Sequence, residues 1–222
     1  MEAKEIVETY TMDEFKDIIQ QENLEIFDFF LTKKSITNKS TILSILLIYS
    51  IRAKQNDKVD FLLEIGADYD SLDSSANYDA LFQSILSSNL EALKSLHKKG
   101  LDIFRKYPEW GNSESDLMAI VLDLEIFKYF EQNGAVKENI DKILARLIKN
   151  SVGKVDFLKY LIEKYNVDIK SINDLNSPFN QNMNLLEYTK EIIDSLKPIM
   201  SPDDKCYRNK MLEYYRYIKT IW

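Results

Sequence analysis

Residues 61–68, FLLEIGAD, recur in altered form as SLHKKGLD at 95–102 and as YFEQNGAV at 129–136. Aligning the three segments brings Gly66, Gly100 and Gly134 into one column, with successive glycines 34 residues apart. A helix often ends at a residue in the left-handed conformation, which costs a residue with a side chain about 1–2 kcal/mol and costs glycine little. The glycines therefore predict the ends of three equivalent helices in a repeating unit.

Apolar residues before the glycine position extend the pattern to five copies. The two additional copies are FFLTKKSI (29–36) and YLIEKYNV (160–167), which carry Lys34 and Tyr165 at the glycine position and are expected to end their helices less sharply. Every copy has an apolar residue seven and four positions earlier, a spacing typical of helices that bury one stripe against successive neighbours. These residues are Phe27 and Phe30, Val59 and Leu62, Leu93 and Leu96, Phe127 and Phe130, and Leu158 and Leu161.

A carboxylate recurs nine residues before the same position in all five copies. An acidic side chain near a helix N-terminus meets the positive end of the helix dipole, which stabilises the helix by about 0.3–1 kcal/mol. The carboxylates therefore predict where the five helices begin. They are Glu25, Asp57, Glu91, Glu125 and Asp156.

The period of 31–34 residues, together with the second-helix segments, resembles the ankyrin repeat. The segments that carry this resemblance are NLEIFDFFLTKK, DKVDFLLEIGAD, NLEALKSLHKKGLD, LEIFKYFEQNGAV and VDFLKYLIEKYNVD. The first-helix segments STILSIL, YDALFQSIL and SDLMAIVL depart from the T-P-L-H-x-A signature. The resemblance implies an all-α solenoid of stacked helix pairs, in which the tips between repeats and the exposed side of the first helices form a concave surface for a protein partner. The tetratricopeptide repeat shares the period of 34 residues but not the small-residue and aromatic pattern, and it ranks second.

We expect one domain over residues 1–222, because 45% hydrophobic and 29% charged residues suit a chain with a real core. Thr11 and Glu14 form a capping box, T-x-x-E, which predicts a first helix over 12–20 and a second over 23–33. Further helix pairs are predicted near 39–53 and 56–65, 77–87 and 89–99, 114–121 and 123–133, and 139–149 and 153–164, with closing helices near 184–196 and 203–220. The predicted repeats cover 11–36, 39–68, 77–102, 114–136 and 139–168, and a C-terminal cap covers 184–222.

Two loops follow Gly66 and Gly100 and are predicted to project from the same edge: ADYDSLDSSAN (67–77) and LDIFRKYPEWGNSE (101–114). Trp110 lies in the second loop, where it has no helix face to bury it, and interfaces are enriched in Trp and Tyr. Packing of Trp110 back onto its own repeat is an equal alternative. The candidate protein-binding residues are Tyr69, Asp70, Asp73, Tyr78, Phe104, Tyr107 and Trp110.

Nothing in the sequence predicts catalysis, a metal site or a cofactor. The single histidine, His97, precedes two lysines near a predicted helix C-terminus, where a solvated cation is normal. The acidic run at Asp68, Asp70 and Asp73 lacks the D-x-D-x-D-G order of calcium loops. Cys206 is the single cysteine and cannot form an internal disulfide bond.

The net charge of −7 argues against nucleic acid as the main ligand, because neutralising phosphates requires a basic surface. Residues 1–30 hold nine acids against two lysines, and such a field attracts a basic partner. The longest apolar run, ILSILLIYSI (42–51), is too short for a membrane span, and the N-terminus lacks the apolar core of a signal peptide. We expect a cytoplasmic monomer that makes no contact with a membrane.

These patterns lead us to expect a non-enzymatic protein–protein interaction module that binds a protein with a basic surface. One form of such a module is a stand-alone inhibitor, such as an immunity protein that blocks a toxin. A host-directed effector or adaptor that uses the same surface is the alternative. A third hypothesis is an enzyme in a divergent helical fold.

Overall fold

The computed structural model describes residues 3–20, 39–70, 79–105, 121–134, 155–166, 187, 189–190 and 202–221. These parts of the chain form nine helices and no strand, which confirms the predicted all-α class. The helices are α1 Ala3–Thr9, α2 Met12–Gln20, α3 Lys39–Arg52, α4 Asn56–Glu64, α5 Ala80–Leu86, α6 Leu90–Lys98, α7 Leu124–Gln132, α8 Val155–Tyr165 and α9 Pro202–Ile221.

The helices belong to two compact units, Met1–Leu117 and Met118–Trp222. In the first unit α3 packs against α4, and α5 packs against α6, so consecutive helices form pairs. Helices α1, α3 and α5 also pack on one another in order, and so do α2, α4 and α6. The first helices of successive pairs therefore make one layer and the second helices make another.

In the second unit α7 packs against α8 through aromatic rings. The ring centroids of Phe127 and Phe157 are 5.1 Å apart, and the Tyr160 ring meets Phe127 edge-on at 6.2 Å. Helix α8 also packs against α9, which carries the buried Ile218. Contacts between α7 and α8 join the second helices of neighbouring copies of the pattern, as contacts between α4 and α6 do in the first unit.

The apolar stripe is buried in both units, as predicted, and the core also takes in apolar residues of α1, α2, α3 and α5. The eight described members of the stripe are fully buried, at 0% exposure, and burying a side chain of this size contributes about 1.5–3 kcal/mol. Phe27 and Phe30 lie outside the described residues. The buried members are Val59, Leu62, Leu93, Leu96, Phe127, Phe130, Leu158 and Leu161.

The three glycines adopt the left-handed conformation that their positions predict, with φ of +89° at Gly66, +99° at Gly100 and +95° at Gly134. After Gly100, the Leu101 N–H donates to the Leu96 carbonyl at 3.2 Å and closes the end of α6. The same bond closes α4 one repeat earlier. A buried apolar residue thus follows the glycine and holds the loop against the helix.

The predicted end of the fifth copy shifts by one residue. Tyr165 is the last residue of α8, and Asn166 takes the left-handed conformation with φ +50°. Asparagine tolerates this conformation better than most residues with side chains, because its short amide can bond to nearby backbone. Lys34, at the same position in the first copy, lies outside the described residues.

The predicted carboxylates lie in the first turns of their helices. Asp57, Glu91, Glu125 and Asp156 open α4, α6, α7 and α8 in this way, and Glu25 lies outside the described residues.

Two polar caps, which the sequence analysis did not single out, precede α6 and α7. Asn89 Oδ1 accepts from the Ala92 N–H at 3.2 Å, and Asp123 Oδ1 accepts from the Ile126 N–H at 3.2 Å, 34 residues later. The buried Asn89 amide also donates to the Ile51 carbonyl at 3.1 Å and to Asn56 Oδ1 at 2.9 Å. Asn89 therefore starts α6 and ties it to the preceding helix pair.

The N-terminal segment differs from the prediction in the layer that its helices occupy. The capping box is confirmed, since Glu14 Oε2 accepts from both the Thr11 N–H and the Thr11 hydroxyl at 2.8 Å. However, α2, predicted as a first helix, packs against α4 in the second-helix layer. Helix α1 was not predicted, and it packs against α3 because Ile6 and Val7 are buried there.

Several predictions fall on residues that the structure does not describe. They are the helices near 23–33, 114–121 and 139–149 and most of the helix near 184–196. In the described part of the chain, no helix is long and apolar enough to cross a membrane.

Candidate functional site

Two loops at one end of the helix pairs share the same local geometry, and we call residues 66–70 and 100–105 the tip loops. In the first tip loop Asp68 Oδ1 accepts from the Asp70 N–H at 2.9 Å. In the second, Asp102 Oδ1 accepts from the Phe104 N–H at 2.9 Å, again 34 residues later. Each aspartate bonds to backbone two residues further on, so the same turn is built twice at equivalent positions.

Asp79 anchors the second tip loop to the start of α5. Its carboxylate is 2% exposed and caps the helix, with Oδ1 accepting from the Phe82 N–H at 2.9 Å. Its other oxygen, Oδ2, accepts from Arg105 Nη1 at 2.7 Å. A buried carboxylate is costly unless it is paired and hydrogen-bonded, and the Arg105 guanidinium meets that need.

Arg105 also joins the second tip loop to the first. Arg105 Nη1 lies 2.8 Å from Asp70 Oδ1, so one guanidinium nitrogen contacts carboxylates from two different loops. The first tip loop has a further link to α5, because the Ala80 N–H donates to the Tyr69 carbonyl at 3.4 Å. These bonds thus hold the two tip loops and the start of α5 against one another.

Three of the predicted binding residues lie in the tip loops. Phe104 is 44% exposed, Asp70 is exposed, and Tyr69 is half-buried. Arg105, the residue after Phe104, pairs with Asp70 and so brings Asp70 close to Phe104. The other four, Asp73, Tyr78, Tyr107 and Trp110, lie outside the described residues.

Arg105 and Asp79 belong to this site, and the sequence analysis missed both. An aspartate just before the apolar run ALFQSIL is a signal for a helix cap, so Asp79 could have been found. Arg105 carries no local signal, because its partner Asp79 lies 26 residues earlier.

Exposed charges surround the tip loops. Asp68, Asp70 and Asp102 are exposed carboxylates within the loops, and Lys98 and Lys99 are exposed just before Gly100. The first tip loop is therefore acidic, whereas the second carries both signs.

The single histidine and the single cysteine both lie in helices. His97 is half-buried on α6, and its carbonyl accepts from the Gly100 N–H at 3.0 Å. Among the described residues, no group of three or more His, Cys, Asp or Glu side chains could hold a metal ion. Cys206 lies in α9.

Lys58 is a buried cation with a structural task. Its side chain is 3% exposed, and Nζ donates to the carbonyls of Val7 at 2.5 Å and Tyr10 at 2.6 Å. Nζ also lies 5.2 Å from the centre of the Phe15 ring. Burial lowers the pKa of Lys58, and the neighbouring Asp57 carboxylate opposes that shift. The ammonium thus binds the carbonyls at the end of α1.

A shallow groove of about 370 Å³ lies between α8 and α9 in the second unit. In it Lys159 Nζ lies 5.3 Å from the centre of the Tyr217 ring. Burial raises the pKa of Tyr217, and the nearby Glu163 carboxylate adds to the effect. Asp156, Glu213 and Arg216 in the groove are exposed and Lys159 is partly exposed, so water reaches these charged side chains. The lining residues are Val155, Asp156, Lys159, Glu213, Arg216 and Tyr217.

Compared with protein families and with curated proteins, the sequence matches no family model and no curated protein.

Proposed function

We propose that the protein is a non-enzymatic interaction module, an ankyrin-like solenoid closed by its C-terminal helix, that binds a basic protein through its tip loops. The order of helix packing in the first unit supports this architecture, because helix pairs stacked layer on layer place equivalent loops side by side. Repeated loops on a stacked scaffold form an extended surface for recognition.

The observation that carries the proposal is the exposure of Phe104 in a loop that is otherwise fixed. Its backbone N–H is held by Asp102, the next residue is paired with two carboxylates, and its ring is still 44% exposed. A large apolar side chain held in place at the surface loses little entropy on binding. Aromatic residues of this kind are enriched at protein interfaces.

The chemistry of the partner follows from charge. The chain carries a net charge of −7, and the first tip loop presents Asp68 and Asp70. An acidic surface attracts a basic protein and speeds the encounter. An inhibitor or immunity protein that neutralises a basic toxin or nuclease is the form of this function that we favour, acting as a monomer in the cytoplasm.

Site-specific photocrosslinking in the source cells tests the proposal. A photoreactive phenylalanine replaces Phe104 in one variant and Leu86 in the other, since Leu86 is 51% exposed at the opposite end of α5 from Asp79. We expect a defined protein adduct from position 104 and none from position 86. Mass spectrometry of the adduct then distinguishes a toxin from a host protein, which would identify an effector or adaptor.

The captured protein allows a direct measurement of affinity. Phe104→Ala should weaken binding by about tenfold or more, because a central aromatic anchor contributes upwards of 1.4 kcal/mol. Leu86→Ala should bind like the unmodified protein. An adduct that forms equally at both positions, or at neither, contradicts the proposed surface.

A further inference from the structure

We propose that Arg105 is a positioning residue that joins the two tip loops into one docking surface for a basic partner. The inference rests on the proposed function and adds to it the residue that sets the geometry of the surface. Arg105 acts through its neighbours Phe104 and Asp70, and it is itself only 30% exposed at its side chain.

The two ion pairs of Arg105 differ in their surroundings. Asp79 is 2% exposed and its other oxygen caps α5, so the pair with Arg105 at 2.7 Å is anchored in the scaffold. Asp70 is 54% exposed, and its pair with Arg105 at 2.8 Å faces water. Buried pairs that lose one partner are strongly destabilised, whereas exposed pairs contribute little. The buried pair with Asp79 therefore fixes the guanidinium, and the fixed guanidinium holds Asp70 through the exposed pair.

This arrangement places the second tip loop relative to α5 and then places the first tip loop relative to the second. Phe104 is the residue immediately before Arg105, so fixing Arg105 also fixes the position of Phe104. Asp70 keeps more than half of its side chain exposed while it is paired, so a lysine or arginine of the partner has access to the same carboxylate. The surface that results combines an aromatic anchor with an oriented carboxylate, which suits a basic partner.

Four variants separate positioning from folding. Arg105→Gln removes the charge, Arg105→Lys keeps it without the guanidinium, and Asp70→Asn removes only the exposed partner. Lys94→Gln is the matched control, because Lys94 is an exposed cation that pairs at 2.8 Å with Glu91 of its own helix.

The measurements are the affinity for the protein captured at position 104, the thermal unfolding midpoint, and hydrogen exchange of the Ala80 N–H in the free protein. We expect Arg105→Gln to weaken binding by about tenfold, because it releases both Phe104 and Asp70, and Asp70→Asn by about threefold, because it leaves the anchor Phe104 in place. Arg105→Lys should recover part of the loss, and Lys94→Gln should match the unmodified protein. Asp70→Asn should leave the midpoint unchanged and speed exchange at Ala80, whose N–H donates to Tyr69 next to Asp70.

Weaker binding of Asp70→Asn combines a lost contact with the partner and a displaced loop, whereas exchange at Ala80 in the free protein reports the position of the loop alone. If Phe104 captures a partner but Asp70→Asn and Arg105→Lys bind it as tightly as the unmodified protein, the positioning role is wrong and the proposed function stands. A second outcome is that Arg105→Gln binds more weakly only to the extent that its thermal unfolding midpoint falls, while Asp70→Asn keeps full affinity. In that case Arg105 is structural and the inference fails. If nothing is captured at position 104, the proposed function fails. Independently of that result, an unchanged rate of hydrogen exchange at the Ala80 N–H in Asp70→Asn would overturn the inference.

Discussion

Lys58 shows how a single buried charge can hold two helices together. The last carbonyls of a helix have no partner within it, and at the end of α1 the carbonyls of Val7 and Tyr10 accept from Lys58 Nζ instead. The positive charge also meets the negative end of the α1 dipole. Lys58 therefore fastens α1 to α4.

Replacing Lys58 by methionine should destabilise the first unit by about 1–3 kcal/mol, because two carbonyls lose a charged donor while the side-chain volume is kept. Urea unfolding followed by circular dichroism gives the change in the free energy of unfolding. Lys94→Met, at an exposed position, should change it by less than about 0.5 kcal/mol. Equal stability of the two variants would show that the Lys58 hydrogen bonds contribute nothing net.

The capping box should make the start of α2 sensitive to acid. Hydrogen bonds from the Thr11 hydroxyl and backbone N–H lower the pKa of Glu14 below its usual value. A lowered pKa in the folded state means that this stabilisation is complete above the ordinary glutamate pKa and is lost as the pH falls through the lowered value.

Hydrogen exchange of the Thr11 N–H, which donates to Glu14 Oε2 at 2.8 Å, tests this expectation. Its protection relative to a Glu14→Gln variant should disappear as the pH falls through the lowered pKa of Glu14, because glutamine keeps the cap geometry without a titrating charge. A constant ratio of exchange rates across that range would show that the carboxylate charge is irrelevant to the cap.

At the scale of the element, the apolar stripe marks the buried face of α4, α6, α7 and α8. Leu96 of α6 is fully buried, and Leu86 of α5 is 51% exposed, although both are leucines near the end of a helix. The difference arises because Leu96 lies at the repeated position four residues before a glycine and Leu86 does not.

Leu96→Ala should lower the free energy of unfolding of the first unit by about 2–5 kcal/mol, through lost burial and the cavity that remains. Leu86→Ala should change it by less than about 0.5 kcal/mol, since its side chain already contacts water. Chemical denaturation of the two variants side by side checks the contrast. Comparable losses would mean that the stripe position of Leu96 gives it no greater part in stability than Leu86 has.

Periodicity predicted most of the described helices closely, including α3, α4, α6, α7, α8 and α9. The capping box predicted the bounds of α2, but a local pattern does not tell which layer of helices the buried face of α2 meets. Phe15 of α2 packs edge-on against the Phe61 ring of α4 at 6.3 Å, so α2 lies with the second helices. That contact joins residues far apart in the chain, and no local pattern encodes it.

At the scale of the whole molecule, hydrogen bonds between repeats follow the period of the sequence. Lys54 Nζ donates to the Ser88 carbonyl across 34 residues, and the Ser95 hydroxyl donates to Asp60 across 35. The tip loops could be located from the glycines for the same reason. The bridging role of Arg105 could not, because it depends on how adjacent loops approach each other.

The net charge of −7 should make binding of a basic partner sensitive to salt. We expect the association rate constant with the captured protein to fall steeply between low and high sodium chloride, with a much smaller change in the dissociation rate constant. Stopped-flow mixing over a series of salt concentrations measures both. An association rate that is independent of salt would exclude electrostatic steering and the basic surface assigned to the partner.

The Asn89 side chain has a consequence for cooperativity. The first turn of α6 cannot fray while Asn89 remains bonded to Ile51 and Asn56, and releasing those bonds exposes polar groups of α3 and α4. Opening of one helix pair is therefore coupled to opening of the pair before it. Part of the stability of each helix pair is thus a free energy of interaction with its neighbour. The Ala92 N–H, which donates to Asn89, should therefore exchange at a rate set by the joint opening of both pairs.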